Sequence, residues 1–267
     1  MAILTISREF GSGGREISQA ISRELGYRYI DRTKILEDIR QAGEKWERWS
    51  KTLDERSPTV WEKYDWSFKG FAALIQSVLL QEALKNNVVI MGRGGNFLLK
   101  DISYALRIRV IAPIDKRIER IMEREQVDND TARWLIEKTD KERSSFLQSL
   151  YGKPWDAAAE YDRVFDTGIK TLDELTAILH AALLDKDTFH TETAEKLMHM
   201  RARAARIKAE ILTDHDFFIP TLDVYTDGDT LIMRGVIHNP EEHKKIEAKA
   251  MRIADGLPLR CELHYRR

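Results

Sequence analysis

Gly11, Ser12, Gly13, Gly14, Arg15 and Glu16 are consecutive and have the composition of a phosphate cradle. They follow the apolar run Ile3, Leu4 and Ile6, and they precede a segment with apolar residues at Ile17, Ala20, Ile21 and Leu25. This is the pattern of a buried strand, a tight turn and the start of a helix. Glycines let the backbone turn sharply and present its N–H groups at the positive end of the helix, an arrangement that favours an anion. Set against the phosphate-binding pattern G-x-x-x-x-G-K-[ST], the frame here reads E-F-G-S-G-G-R-E. Glu9 stands for the first glycine, Arg15 for the lysine and Glu16 for the magnesium-binding hydroxyl. Arginine keeps the charge and can fork onto phosphate oxygens, although it is larger and less adaptable than lysine. The competing reading is a glycine-rich turn that holds no ligand.

Three further places could do chemistry. Asp31 closes the short strand-like run YRYID, where a parallel sheet collects its ligands; equally, it could cap a helix that begins at Thr33. Arg93 lies among Gly92, Gly94 and Gly95 directly after the core strand Val88 to Met91, facing either an anion or a carboxylate within the fold. The stretches Asp115 to Arg124 and Thr131 to Leu150 are helical and crowded with charge, including Arg117, Arg120, Arg124, Lys138, Asp140 and Arg143. They read as a lid that carries arginines over a transferring phosphate, or as a solvated, salt-bridged hairpin.

The elements that must position these residues alternate strand and helix. Strands are expected near Ile3, at Tyr27 to Asp31, Val88 to Met91, Tyr104 to Ala112 and Tyr161 to Thr167. Helices are expected at Glu16 to Leu25, Phe71 to Leu84 and Leu172 to Leu184, giving an α/β unit around a parallel sheet. Between Thr33 and Phe71 the pattern is helical and aromatic, with Trp46, Trp49, Trp61, Tyr64, Trp66 and Phe68, and packing is the favoured role for them. Residues 185–200 are polar and read as a linker. From Arg201 a second unit follows: a helix to Leu212, strands Thr221 to Thr226 and Thr230 to Ile237 joined by Asp227-Gly228-Asp229, a helix Pro240 to Ala254 and a strand Leu259 to Tyr265.

Composition narrows the function classes. The chain has 267 residues, with 43 basic and 44 acidic side chains and a formal net charge of -1. That balance argues against a nucleic-acid partner while leaving room for a local arginine-lined site. One cysteine, Cys261, excludes a disulfide framework, and the histidines have no metal spacing. No signal pattern or transmembrane run is seen, so a cytoplasmic setting is expected.

Taken together and in order, ITISREFGSGGREIS, LGYRYIDR, VVIMGRGGNF, VIAPIDKRIERIMERE, LIEKTDKERSSF, LYGKPW and YDRVFDTG resemble the cytidylate-kinase-like family, a branch of the P-loop nucleoside monophosphate kinases. The likeness spans about Met1 to Leu184. The pattern TLDVYTDGDTLIMRGVIHNPEEHKKIEAKA resembles a BON domain, a small α/β module. The resemblance implies a P-loop kinase-like three-layer fold with a central parallel five-stranded sheet and a helical lid. Its domains would be a kinase-like unit at 1–184, a linker at 185–200 and a BON-like unit at 201–267.

The implied reaction is transfer of the γ-phosphoryl of ATP, with Mg2+, to a nucleoside monophosphate or similar small phosphorylated acceptor. The implied roles follow from the matching positions. Gly11 to Glu16 would cradle the donor phosphates, and Asp31, Gly92 and Arg93 would hold the acceptor. Lys138, Asp140 and Arg143 would belong to the lid, with Lys138 and Asp140 touching substrate. Arg15, Arg93 and Arg143 would act on the transferred group, while Glu16 or Asp31 would hold the metal through water.

Cytidylate kinases carry the P-loop lysine and read D-G-R-D where this chain has Met91-Gly92-Arg93-Gly94. Both acidic positions of that motif are therefore absent. The rival expectation is a non-catalytic nucleotide-binding regulator whose C-terminal unit signals to a protein or phospholipid partner. That unit otherwise reads as a homo-oligomerising element.

Overall fold

In a computed structural model, which describes residues 1–40, 43, 46 and 65–265, five parallel strands form the central sheet. They are β1 (Ile3–Arg8), β2 (Arg28–Ile30), β3 (Val88–Met91), β4 (Ala105–Ile111) and β5 (Arg163–Asp166), in the order β2-β3-β1-β4-β5. The alternation of β1 decides the layers, because successive side chains leave a strand on opposite faces. Leu4 and Ile6 enter one core with Ile17 and Ile21 of α1 (Gly14–Leu25) and with Leu175 and Leu179 of α7 (Leu172–Asp187). Ile3 enters the other core, with Phe71, Ile75 and Leu79 of α3 (Trp66–Leu84). Both faces of the sheet are thus covered, and β1 and β3 are nearly continuous apolar runs, as such burial demands.

Between β2 and α3 lies α2 (Arg32–Arg40), and a single turn, α4 (Gly95–Leu98), follows β3. The charged hairpin is α5 (Ile114–Glu125) and α6 (Asn129–Tyr151), the latter capped by Asp128 through Thr131 N at 2.8 Å. Its apolar seam is small: Ile118 and Ile121 of α5 meet Ala132 and Ile136 of α6. Of the aromatic segment, Trp46 is buried against α3, where a Cβ on Gly70 would strike its ring. Trp66 pairs with Phe218 at 5.3 Å. Trp49, Trp61 and Tyr64 lie outside the described residues.

The linker expected at 185–200 is mostly helix. Residues to Asp187 finish α7, and α8 (Glu192–Leu212) starts nine residues before Arg201, capped by Thr191 through Ala194 N at 3.2 Å. The apolar stripe that makes it a helix, Ala194, Met198 and Ala202, is weak to the eye because alanine supplies two of its three members. It nonetheless packs into the same core as Phe71 and Leu79, while Met200, Ala204, Ile207 and Ile211 face the second unit. That unit holds β6 (Thr221–Asp227) antiparallel to β7 (Thr230–Ile237), α9 (Pro240–Ala254), and β8 (Leu259–Tyr265) parallel to β7. One helix therefore belongs to two cores.

Met198 is fully buried at this junction. Met198→Ala is expected to destabilise the chain by about 2–4 kcal/mol, read as a lower urea midpoint with α8 and β1 losing protection together.

Candidate functional site

The ladder of β1 continues past Arg8, with Glu9 N donating to Val110 O at 3.0 Å, and this fixes where the loop begins. The Glu9 carboxylate turns inward. Oε1 accepts from Arg109 at 3.3 Å, and Oε2 accepts from Ala112 N at 3.4 Å and lies 3.7 Å from Arg117 Nε. Arg117 in turn pairs with Asp140 of α6, and that carboxylate accepts from Phe10 N at 2.8 Å. Further along, Arg120 donates to Gly11 O at 3.3 Å and to Thr167 Oγ1 at 2.8 Å, and the Thr167 hydroxyl donates to Ser12 O. The loop is held by its flanks: Phe10 N is taken by Asp140 and Ser12 N by Glu9 O at 3.3 Å, so the N–H groups left to the cavity are those at the start of the helix that follows.

Two glycines are required by this path. Gly13, at φ +82°, is the cap residue of α1 without any side-chain cap, and a Cβ there would lie 2.9 Å from Leu172. At Gly14 a Cβ would lie 2.5 Å from the Arg8 Cβ. The amides at the start of this twelve-residue helix have no side-chain cap, an arrangement that favours an anion.

Two cavities meet here. One, of about 620 Å³, is lined by the loop from Arg8 to Glu16, by Asp31 and Arg32, and by Arg120 and Arg124 of α5. The other, of about 370 Å³, is lined by Gly92, Arg93 and Gly94, by Thr139, Glu142 and Phe146 of α6, and by Trp155. Arg8, Arg32, Met91 and Arg143 line both. The glycine loop opens on the first cavity, and the second lies beside it with arginines shared between them; by the expectation from sequence they are termed the donor cavity and the acceptor cavity.

Residues 3–169 match the model of the cytidylate kinase-like family. The chain belongs to that family. It is 25% identical over 190 residues to the cytidylate kinase of Methanopyrus kandleri, covering 68% of this chain and 92% of that protein. To the cytidylate kinase of Thermoplasma acidophilum it is 29% identical over 167 residues, 61% and 82% of the two chains. A crystal structure of an uncharacterized protein from Eubacterium ventriosum superposes with a TM-score of 0.55 at 20% identity, over 68% of this chain and 98% of that one, a likeness of fold.

Within this kinase-like frame the expected residues separate. Gly11, Ser12, Gly13, Gly14, Arg15 and Glu16 all line the donor cavity, and Ser12 is buried, its hydroxyl donating to Glu9 O at 2.9 Å. Arg15 is exposed and hydrogen-bonds Tyr29, whose hydroxyl is raised above the usual tyrosine value chiefly by burial. Asp31 caps α2: its Oδ1 accepts from Thr33 N at 3.0 Å and Lys34 N at 3.2 Å. Expected both on the acceptor and, with Glu16, at the metal, it lines the donor cavity together with Glu16. Membership of a kinase family implies ATP and magnesium. Two hard carboxylate donors beside a phosphate cradle suit magnesium, which takes one or two carboxylates and retains waters.

Gly92 and Arg93, expected to hold the acceptor, line the second cavity. A Cβ on Gly92 would collide with the Arg8 guanidinium. Arg93 holds φ +55°, its carbonyl accepts from the Tyr151 hydroxyl at 2.7 Å, and its guanidinium lies 5.0 Å above the Phe146 ring. Neither Lys138 nor Asp140 lines either cavity. Lys138 is exposed, its ammonium 4.8 Å over Trp134, because the outer face of α6 carries it away from the cleft. Asp140 is committed to Phe10 and Arg117 and fastens the loop.

Of Lys138, Asp140 and Arg143, the three residues expected in the lid, Arg143 lines the cleft, donating to Arg8 O at 3.1 Å. Burial first, and then the Arg8 charge, push its guanidinium down to about 9, and burial likewise lowers Arg8. Two desolvated cations side by side are relieved by an anion. The arginines of the cavities not singled out from sequence are Arg8 and Arg32, while Arg120 and Arg124 were expected only as part of the charged hairpin and not as lining the cavity of the glycine loop. The spacing of Arg117, Arg120 and Arg124 on one helical face was their available signal; Arg8 had none beyond ending a strand.

Arg143→Met is expected to weaken pyrophosphate binding by about 1.5–3 kcal/mol, the range for a hydrogen bond to a charged group, in calorimetric titration. Tyr151→Phe, which keeps the ring and removes the donor to Arg93, is expected to weaken acceptor binding by about 1 kcal/mol with donor affinity unchanged.

Proposed function

We propose that the chain transfers the γ-phosphoryl group of ATP to a nucleoside monophosphate or a similar small phosphorylated acceptor. The observation that carries this reading is the meeting of the two cavities along Arg8, Arg32 and Arg143. Phosphoryl transfer needs little covalent help from the protein. It needs the donor and acceptor in line and the charge on the moving group neutralised.

The loop amides from Gly11 to Glu16 would receive the donor phosphates, with Arg15 in the place of the usual lysine. Glu16 and the free oxygen of Asp31 would hold magnesium through water, and the ion would neutralise charge on the phosphates. Arg93 would bind the acceptor phosphate from the far cavity. Arg8 and Arg143, on the shared wall, would face the group in transit and exclude water from it. Because Met91 and Gly94 replace the two acids of the D-G-R-D motif, selection of cytosine has lost its expected carboxylates, and the base of the acceptor is left to other groups.

The C-terminal unit has the element order helix, hairpin, helix, strand that suits a BON-like module. We read it as the part that contacts a protein, a phospholipid or a second copy of the chain in a cytoplasmic setting.

A screen of CMP, UMP, dCMP, AMP and GMP with ATP and magnesium, following ADP, tests the reading. Turnover with one of them is expected, raised by Arg15→Lys and abolished by Arg15→Ala. ATP binding without turnover in any variant would replace the kinase by a nucleotide-binding regulator.

A further inference from the structure

We infer that the C-terminal unit is a structural part of the acceptor site, and that Arg201 is the residue through which it positions the Arg93 loop. The inference rests on the acceptor role proposed for Arg93.

The loop is short and is fastened along its length. Gly92 N donates to Ile6 O at 2.9 Å, and Tyr151 takes the carbonyl of Arg93. Leu98 N then donates to Gly94 O and Leu99 N to Gly95 O, which closes the single turn of α4. A turn this short cannot stabilise itself, since nucleating one fixes several dihedral angles for a single hydrogen bond. Its last carbonyls also have no partner within the helix.

Arg201 supplies that partner from α8. Its guanidinium donates to Leu98 O at 3.3 Å and to Lys100 O, and it lies 3.6 Å from the Asp101 carboxylate. Asp101 is itself held at φ +66°. A cation at the C-terminal end of a helix is the favourable sign, and here burial lowers the guanidinium below its usual value, offset by Asp101. The base of Arg201 does not move freely: Ala202 is fully buried beside it, and the Gln81 amide donates to Ala202 O at 3.3 Å.

The second unit and the acceptor loop are thus joined by one rigid helix and one side chain. Between Arg93 and Leu98 there are only four residues, two of them the glycines whose freedom makes the loop easy to distort. Loosening the far end of α4 moves Gly94 and Gly95 first, and the Arg93 guanidinium with them.

Arg201→Ala, Arg201→Lys and Lys249→Ala in the full-length chain test this. Lys249 pairs with Asp214 inside the second unit and touches nothing near α4, so it reports a merely structural loss. Amide exchange across residues 94–102 is read first, because it needs no activity. It should quicken in Arg201→Ala, recover in part in Arg201→Lys and stay unchanged in Lys249→Ala. Calorimetry with whichever of CMP, UMP, dCMP, AMP and GMP the wild type binds most tightly should then show about five-fold weaker binding in Arg201→Ala, the loss expected of about one hydrogen bond, with ATP affinity unchanged. Unaltered exchange in the loop, or altered exchange with full affinity for that monophosphate, overturns the inference. If the wild type binds none of CMP, UMP, dCMP, AMP and GMP, the acceptor reading itself fails, and loop exchange alone decides whether Arg201 positions the loop.

Discussion

The Glu9 carboxylate is the constraint on which the donor side depends. Arg109 is almost wholly buried within β4, its guanidinium 4.3 Å over the Trp155 ring, and a buried guanidinium needs a compensating charge. Glu9 provides it, and the same carboxylate reaches Ala112 N and Arg117. Arg117 passes the contact to Asp140, and Asp140 returns it to the loop at Phe10 N. The circuit joins β1, β4, α5 and α6. The first glycine of the usual phosphate-binding pattern is missing because this position must carry a charge; the backbone freedom it would have offered is moved to Gly11 and Gly13, both at positive φ.

Stability and ligand preference oppose each other at the shared wall. Arg8 and Arg143 lie together half-buried, with Asp140 3.7 Å from Arg143, and each guanidinium is held below its usual value chiefly by burial. Burying two like charges costs free energy that packing elsewhere must offset. The surrounding residues are chosen to keep the arginines in place all the same: Gly92 vacates the space Arg8 occupies, Gly94 does the same for Tyr151, and Phe10 lies between Arg124 at 4.8 Å and Arg143 at 5.5 Å. A protein that needed only a stable turn would gain nothing from this arrangement, whereas an anion entering the cleft would relieve it.

The fold was legible where hydrophobic period and turn chemistry agree. The five parallel strands, the glycine turn and the Asp-Gly hairpin each had an unmistakable local pattern, and resemblance supplied the frame that joins them. The linker failed for a physical reason: the buried stripe of α8 is small-sided, and its polar face dominates residues 185–200. At the site, the backbone cradle was readable because glycine and a helix start are sequence features. Side-chain destinations were not. Lys138, five residues before Arg143, is turned to solvent by the 3.6-residue period, whereas Asp140, three residues before it, shares the face of Arg143 and lies 3.7 Å from it but is held by Phe10 N and Arg117 and lines neither cavity. Asp31 was ambiguous between cap and ligand, and it caps with one oxygen while lining the donor cavity.

Helix α6 resolves what kind of lid this is. From Asp140 through Arg143 and Phe146 to Tyr151 it contacts, in turn, the donor loop, the shared wall, the Arg93 guanidinium and the Arg93 backbone. These attachments lie on one continuous helix, and its intrahelical hydrogen bonds make it stiff over that span. Any rigid shift that moves Arg143 toward a phosphate therefore also loads the Arg93 loop. The N-terminal part of the hairpin has only the small seam of Ile118, Ile121, Ala132 and Ile136, so compliance belongs there, away from the anchored half. Under the proposed phosphoryl transfer, closure of this hairpin would couple the two cavities through one element.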